Sequence, residues 1–284
     1  MQYGMPTLIE HESLEESARL CRRLGLRFIE LNMNLPAYQT ESLADVEALS
    51  RVAGEYGIYY TIHLDENLDF ASYNTLVAQA WQESVRKTIR AVKKLLPLRD
   101  LFGDPSQPLI LNMHMNHGVH FTLPDRREVL YGRDEARYLE ACRRFRELCV
   151  ACIGGEDLMI AVENTDGYWP WEQRGIDLML ESPRFGLTWD IGHSRAAGDE
   201  DVTFLLARQD RLVHFHIHDA TAAPPRDHLA LGDGDLNLKG RLRLAAACGA
   251  RCVIETKTAA ALEKSVEWLR QRGLMGPNEG FPDE

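Results

Sequence analysis

Six ionisable residues close six short apolar runs: His63 in "IYYTIHL", His114 in "PLILNMHM", Glu163 in "LMIAVEN", Asp190 in "FGLTWDIGH", His216 in "RLVHFHIHD" and Glu255 in "RCVIETK". Runs of this composition read as buried strands, and the six groups stand at their carboxyl ends. A carboxylate or imidazole taken out of water without a partner costs several kcal/mol. Mixed imidazole and carboxylate ligands around a divalent cation remove that cost. Each residue also has a plainer use. His63 or His114 could be a hydrogen-bonded histidine at a strand end, and Glu163, Asp190 or Glu255 could cap the next helix. His193, in "DIGH", could support its neighbours. The plainer uses would have to hold at every strand end together, so the set is expected to bind a metal.

The seventh run adds detail. Period-two alternation over residues 211–220, "RLVHFHIHDA", sends Val213, Phe215 and Ile217 to one side and His214, His216 and His218 to the other. His216 is expected at the level of the ligands. His214, two residues earlier, should lie one layer lower as a packed or supporting group. His218 should lie above, near Asp219, as a contact to substrate or loop.

Elements that alternate between strand and helix must position these residues. Strands are expected at "TLIE", "RFIELN" and the six runs above, each followed by a helical segment. Ser13 and Glu16 have capping-box spacing before a helix that stops at Gly25. Further helices are expected over about 41 to 56, up to about Pro97 and over about 134 to 152, with a last one carrying Leu262, Val266 and Leu269 on one face. Eight strand-helix units in 284 residues predict a single (β/α)8 TIM barrel over 1–284, with 273–284 as a C-terminal tail. Its active site should lie at the carboxyl-end mouth of the strands. No G-x-G-x-x-G follows the first strand, which counts against a dinucleotide-binding sheet. Two long segments, about 115 to 132 and about 219 to 236, are expected as functional loops at the mouth. In the first, His117 and His120 of "HMNHGVHF" read either as part of a lid or as a plain polar loop.

Composition narrows the partners. A net charge of −11 opposes binding to nucleic acid or an anionic membrane. No apolar run reaches the roughly 20 residues of a membrane span. The start lacks the pattern of a signal peptide, so the cytoplasm is the expected location. Of six cysteines only Cys149 and Cys152 have C-x-x-C spacing, and one such pair in a helical pattern reads as buried thiols.

The segments "AVENTDG", "LTWDIGHSRAAG", "VHFHIHDA", "DHLALGDGDLN" and "VIETK" resemble, in order and spacing, the xylose-isomerase-like barrel superfamily, and the resemblance covers most of the chain. That group holds sugar isomerases and epimerases, inosose dehydratases and the endonuclease IV family of abasic-site phosphodiesterases. Resemblance to the epimerase branch implies one ion, Mn, Mg, Co or Zn, held by Glu163, Asp190, His216 and Glu255. It implies that Glu163 and Glu255 transfer protons on a small sugar or sugar derivative through an enediolate, with His193 in support. That branch usually has an arginine soon after the strand-seven histidine; here "TAAPP" intervenes and Arg226 is the nearby candidate, with His218 and Asp227 as further substrate contacts. Resemblance to the phosphodiesterase branch implies up to three zinc ions and the further ligands His63, His114, His193 and His228. That branch has Asp-x-His in the loop after strand seven, whereas here Asp227 abuts His228 and Arg226 stands two before it. A dehydratase, or a non-catalytic sugar sensor without competent bases, completes the alternatives.

Overall fold

Phe28, Glu30 and Asn32 alternate with Ile29 and Leu31 along β2 (Phe28–Asn32), and the same alternation on every neighbouring strand closes the sheet. In the computed structural model, which describes residues 1–276, eight parallel strands form one closed barrel. They are β1 (Tyr3–Pro6), β2, β3 (Tyr59–His63), β4 (Leu109–His114), β5 (Leu158–Glu163), β6 (Phe185–Asp190), β7 (Leu212–Ile217) and β8 (Arg251–Ile254), with β8 pairing β1. The (β/α)8 expectation therefore holds. Residues 277–284 of the expected tail lie outside the described residues.

Register sets what meets inside. Phe28 pairs with Tyr59, Glu30 with Thr61 and Asn32 with His63; Asp190 pairs with His216 and His216 with Val253. Residues facing the lumen thus come in layers, as in barrels generally. At the bottom Phe28, Tyr59 and Val253 form a small apolar cluster. Gly4 is required there, because a Cβ would fall within 2.5 Å of the Phe28 ring. Outward-facing residues such as Ile29, Leu31, Phe215 and Ile217 join the main core between barrel and helices.

The helices carry the signals read from the sequence. Ser13 caps α1 (Leu14–Arg23) by accepting from Glu16 N, and Gly25 turns the chain at φ 68°. Leu262, Val266 and Leu269 are buried on the last helix, Ala259–Gln271. Cys149 is buried and Cys152 half-buried on Glu135–Ile153, and all six thiols are free.

Four boundaries differ from expectation. The first strand is Tyr3–Pro6 rather than "TLIE"; Thr7 N still donates to Glu30 O, but the chain then leaves the sheet. The segment over 41–56 breaks into Thr40–Leu43 and Val46–Tyr56, because Asp45 accepts from Ala48 N and starts a new helix. Pro97 opens a separate helix, Leu96–Phe102, after Thr75–Lys93, since proline lacks the N–H that a helix interior needs. Each long loop holds a hairpin, His120–Thr122 with Arg127–Val129 and Asp219–Ala222 with Pro225–Leu229. No described helix is long and apolar enough to cross a membrane.

Candidate active site

Parallel strands bring their carboxyl ends to one rim, and there the six expected residues meet. Glu163, Asp190, His216 and Glu255 are buried, and each offers a ligand atom within 4.8 Å of the others. His216 Nδ1 lies 2.9 Å from Glu163 Oε1 and 2.7 Å from Glu255 Oε2. One ring hydrogen serves one of these. The directed bond goes to Glu163, and Glu255 Oε2 is left buried without a donor.

Each carboxylate is held from behind. Glu163 Oε2 accepts from Asn112 Nδ2, and the Nε2 atoms of His114 and His63 lie 3.0 and 3.3 Å away. Glu255 Oε1 pairs with Lys257 Nζ at 2.8 Å. Asp190 ends β6 and begins a short helix, Ile191–Ala196, whose His193 N donates to Asp190 Oδ1 at 2.7 Å. It is therefore a helix cap and a member of the cluster at once. Asn164 clamps the Asp190 backbone through both amide atoms, each at 2.8 Å.

Electrostatics follow from this packing. Burial alone would raise the Glu163 carboxyl, but the His216 and His114 imidazoles hold it well below the usual range. Glu255 is likewise buried, and His216 and Lys257 hold it low. Burial would push Asp190 up, but His193 and His218 lower it. Burial opposes the charged form of His216, yet Glu163, Glu255 and Glu30 raise it well above the ordinary histidine value. His63 is buried as well, and its hydrogen bond to Glu163 lifts it to about 9. The acids of the cluster are thus held ionised.

One member was not singled out from the sequence. Glu30, fully buried on β2, reaches His214 Nε2 at 3.0 Å and His216 Nε2 at 2.7 Å, and accepts from Thr61 Oγ1 at 2.9 Å. Burial would raise this carboxyl, but the two imidazoles pull it far down. His214 accordingly lies one layer below His216, as the alternation predicted. The available signal was an acid within an otherwise apolar strand, at an inward position. Asn112, inside β4, was missed in the same way, whereas Asn164 and Lys257 lie just past their strands and were given no role.

The remaining candidates divide. His193 is 3.5 Å from Asp190 Oδ2, and His228 Nε2 is 3.7 Å from Glu255 Oε1. The His193 and His228 rings meet edge-on at 5.1 Å. His218 is fully buried beside Asp190, below where a substrate contact was expected. Asp227 is exposed and bonds His228 Nδ1 at 3.0 Å. Arg226 is exposed on the hairpin and takes no part in the cluster's hydrogen bonds or ion pairs. His117 bridges Glu172 and Asp166 at 2.6 and 2.7 Å, whereas His120 faces Arg127 on the outer hairpin. A cavity of about 290 Å³, lined by Thr165, Asp166, His193, Ala196, Ala197 and Asp227, opens beside the cluster. A larger one of about 520 Å³, lined in part by Leu35, Tyr38 and Val52, touches none of the six strand-end groups.

Comparison with known proteins adds the following. A family model described as xylose isomerase-like TIM barrel matches residues 18–272. A D-tagatose 3-epimerase-like protein superposes with a TM-score of 0.73 at 20% identity, covering 95% of this chain and 96% of that one. The 3-keto-D-glucoside 4-epimerase YcjR of E. coli gives 0.68 at 15%, covering 95% and 99%. The IolI protein with a bound zinc atom gives 0.69 at 14%, covering 96% and 97%. At these identities the superpositions speak for the fold. Curated protein sequences give no significant match.

Proposed function

Because this chain belongs to the xylose isomerase-like TIM barrel family, we propose that it is a divalent-metal-dependent isomerase or epimerase of a small sugar or sugar derivative. The observation that carries this is the convergence of Glu163 Oε1 and Glu255 Oε2 on the single nitrogen His216 Nδ1, with Asp190 beside them. Three buried carboxylates share one imidazole at their centre, with Lys257 and His63 holding the far oxygens of two of them. Glu255 Oε2, buried without a hydrogen-bond donor, is an atom that a cation would satisfy. Oxygen and nitrogen donors in this ratio suit Mn, Mg, Co or Zn. Glu163, Asp190, His216 and Glu255 would hold the ion. When bound, such a cation supplies Lewis-acid stabilisation of charge on a substrate carbonyl and hydroxyl.

The chain's own residues do the rest. Glu255, as a carboxylate, takes a proton from the carbon next to the carbonyl, and Glu163, which has to gain a proton when the substrate binds, gives one from the other side; each acid ends in the other's starting state and the roles reverse for the reverse reaction. Asn112, His114 and His63 hold one oxygen of Glu163, and Lys257 holds one of Glu255, which fixes how each acid faces the site. The cavity beside His193 and Asp227 admits the substrate. The free thiols fit the reducing cytoplasm.

The test is deuterium exchange. Ketoses labelled at the carbon next to the carbonyl should lose label to water in the presence of enzyme and Mn(II). No exchange across a broad ketose panel overturns the reading. A second reading, a multi-zinc phosphodiesterase, draws on His63 and His114 against Glu163 and on the His193–His228 contact beside Asp227. Metal content per chain separates the two. One exchangeable ion supports the isomerase, whereas close to three zincs with cleavage of abasic-site DNA supports the phosphodiesterase.

A further inference from the structure

His218 lies beside the cluster with both ring nitrogens committed. Its Nδ1 accepts the backbone N–H of His228 at 2.8 Å. A ring nitrogen that accepts carries no hydrogen, and the Asp219 carbonyl lies farther from Nδ1, at 3.3 Å, so the ring hydrogen is assigned to Nε2. That Nε2 lies 2.9 and 3.0 Å from the two oxygens of Asp190. The ring is fully buried, stacked on His228 at 4.3 Å with an interplanar angle of 12°. Gly192 is required beside the ring, because a Cβ there would fall 2.0 Å from its nearest atom. His228 itself holds φ 50°, a left-handed conformation that non-glycine residues rarely adopt and that marks a local constraint.

We infer that His218 is a positioning residue: its ring ties the hairpin over 219–229 to Asp190, so that hairpin and carboxylate hold one geometry together. His193, His218 and His228 also present ring nitrogens close enough to one another to suggest a second ion. The two committed nitrogens assign His218 to Asp190 and the His228 backbone instead. This rests on the reading of Asp190 as one of the four ligands, since its consequence is for cation affinity.

Two substitutions split the ring's functions. In His218→Asn the side-chain oxygen occupies the position of Nδ1, keeping the hairpin bond and losing the reach to Asp190. In His218→Gln the amide nitrogen occupies the position of Nε2, keeping Asp190 and losing the hairpin. The experiment uses the full chain stripped of metal and titrated with Mn(II), with amide hydrogen exchange over 219–229 as a second readout and melting curves to check folding. His218→Asn should weaken Mn(II) binding about 10- to 100-fold, as loss of a ligand's supporting partner does, and leave hairpin exchange unchanged. His218→Gln should speed hairpin exchange and leave Mn(II) affinity within about threefold. Independently of any variant or metal, nitrogen NMR of labelled histidine should find hydrogen on Nε2 and none on Nδ1 of His218.

A hydrogen on Nδ1, or wild-type Mn(II) affinity in His218→Asn, overturns the inference. So does loss of one bound ion per chain at unchanged affinity for the rest, which would make His218 a ligand. If the wild-type chain binds no Mn(II), the metal reading of the cluster fails. The ring signature and the hairpin exchange then decide the His218 assignment by themselves.

Discussion

Replacing His117 by glutamine should destabilise the protein in a way that depends on pH. The imidazole joins the loop after β4 to the first turn of the helix Pro170–Leu180: Nδ1 lies 2.6 Å from Glu172 Oε1, and Nε2 lies 2.7 Å from Asp166 Oδ1. Glu172 is fully buried, and its other oxygen accepts from Trp169 N at 2.9 Å. The hydrogen bonds to Asp166 and Glu172 raise His117 from 6.5 to about 10. At full burial such a rise corresponds to about 5 kcal/mol. His117 is 32% exposed and Asp166 77%, so solvent screening reduces the figure to about 2–3 kcal/mol. A folded-state value above the unfolded one means that this stability is complete below about 6.5 and is lost as pH rises through about 10. Urea unfolding of metal-free wild type and His117→Gln at pH about 7 and about 10.5 isolates the contribution, because other titrating groups cancel in the difference. The gap should fall from about 2–3 kcal/mol to under about 1. An equal gap at both values would falsify the assignment, and so would an NMR titration of His117 near its unperturbed value.

Other perturbations act on the barrel itself. Glu163→Gln and Glu255→Gln should each lower kcat by about 10²–10⁴ while the fold survives, measured on whichever ketose exchanges label. Near wild-type turnover in either variant removes that residue from proton transfer. Glu30→Gln should weaken Mn(II) binding about 10- to 100-fold, because its carboxylate sets which nitrogen of His216 faces the other acids. The same change should cost about 3–5 kcal/mol in urea unfolding by leaving buried imidazoles unpaired. Calorimetric Mn(II) titration and unfolding curves indistinguishable from wild type would count against both roles. Gly192→Ala should lower stability by at least about 1–3 kcal/mol, the usual range for overpacking, since the new methyl meets the His218 ring. An unchanged melting temperature would mean that the ring moves aside freely.

Strand-end chemistry was legible because it needs only local information. An apolar run that closes on an acid or imidazole declares its own carboxyl end, and the alternation of His214, His216 and His218 declares one face. Order along the chain then gives order around the barrel. What stayed hidden depends on pairings that the sequence does not index. Glu30 and His214 are 184 positions apart and meet only once the barrel closes. His218 reads as a contact to substrate or loop because it leads into one, yet the hairpin folds back and buries it against Asp190. The first strand is expected a few residues too late for another reason. Four residues with a glycine and a proline among them carry little strand signal, and Gly4 is there to make room for Phe28.

The apolar cluster closes the bottom of the lumen, opposite the strand-end groups. Phe28, Tyr59 and Val253 fill that end, so on the proposed function an ion held by the four ligands and a substrate would share the mouth as their way in and out. Traffic through a single opening has a sequence. On the proposed function, metal would load before substrate closes over it, and product would leave before the metal could exchange. Saturating substrate should therefore protect the loaded enzyme against a chelator. The rate of metal loss should fall in proportion to the fraction of sites that substrate occupies.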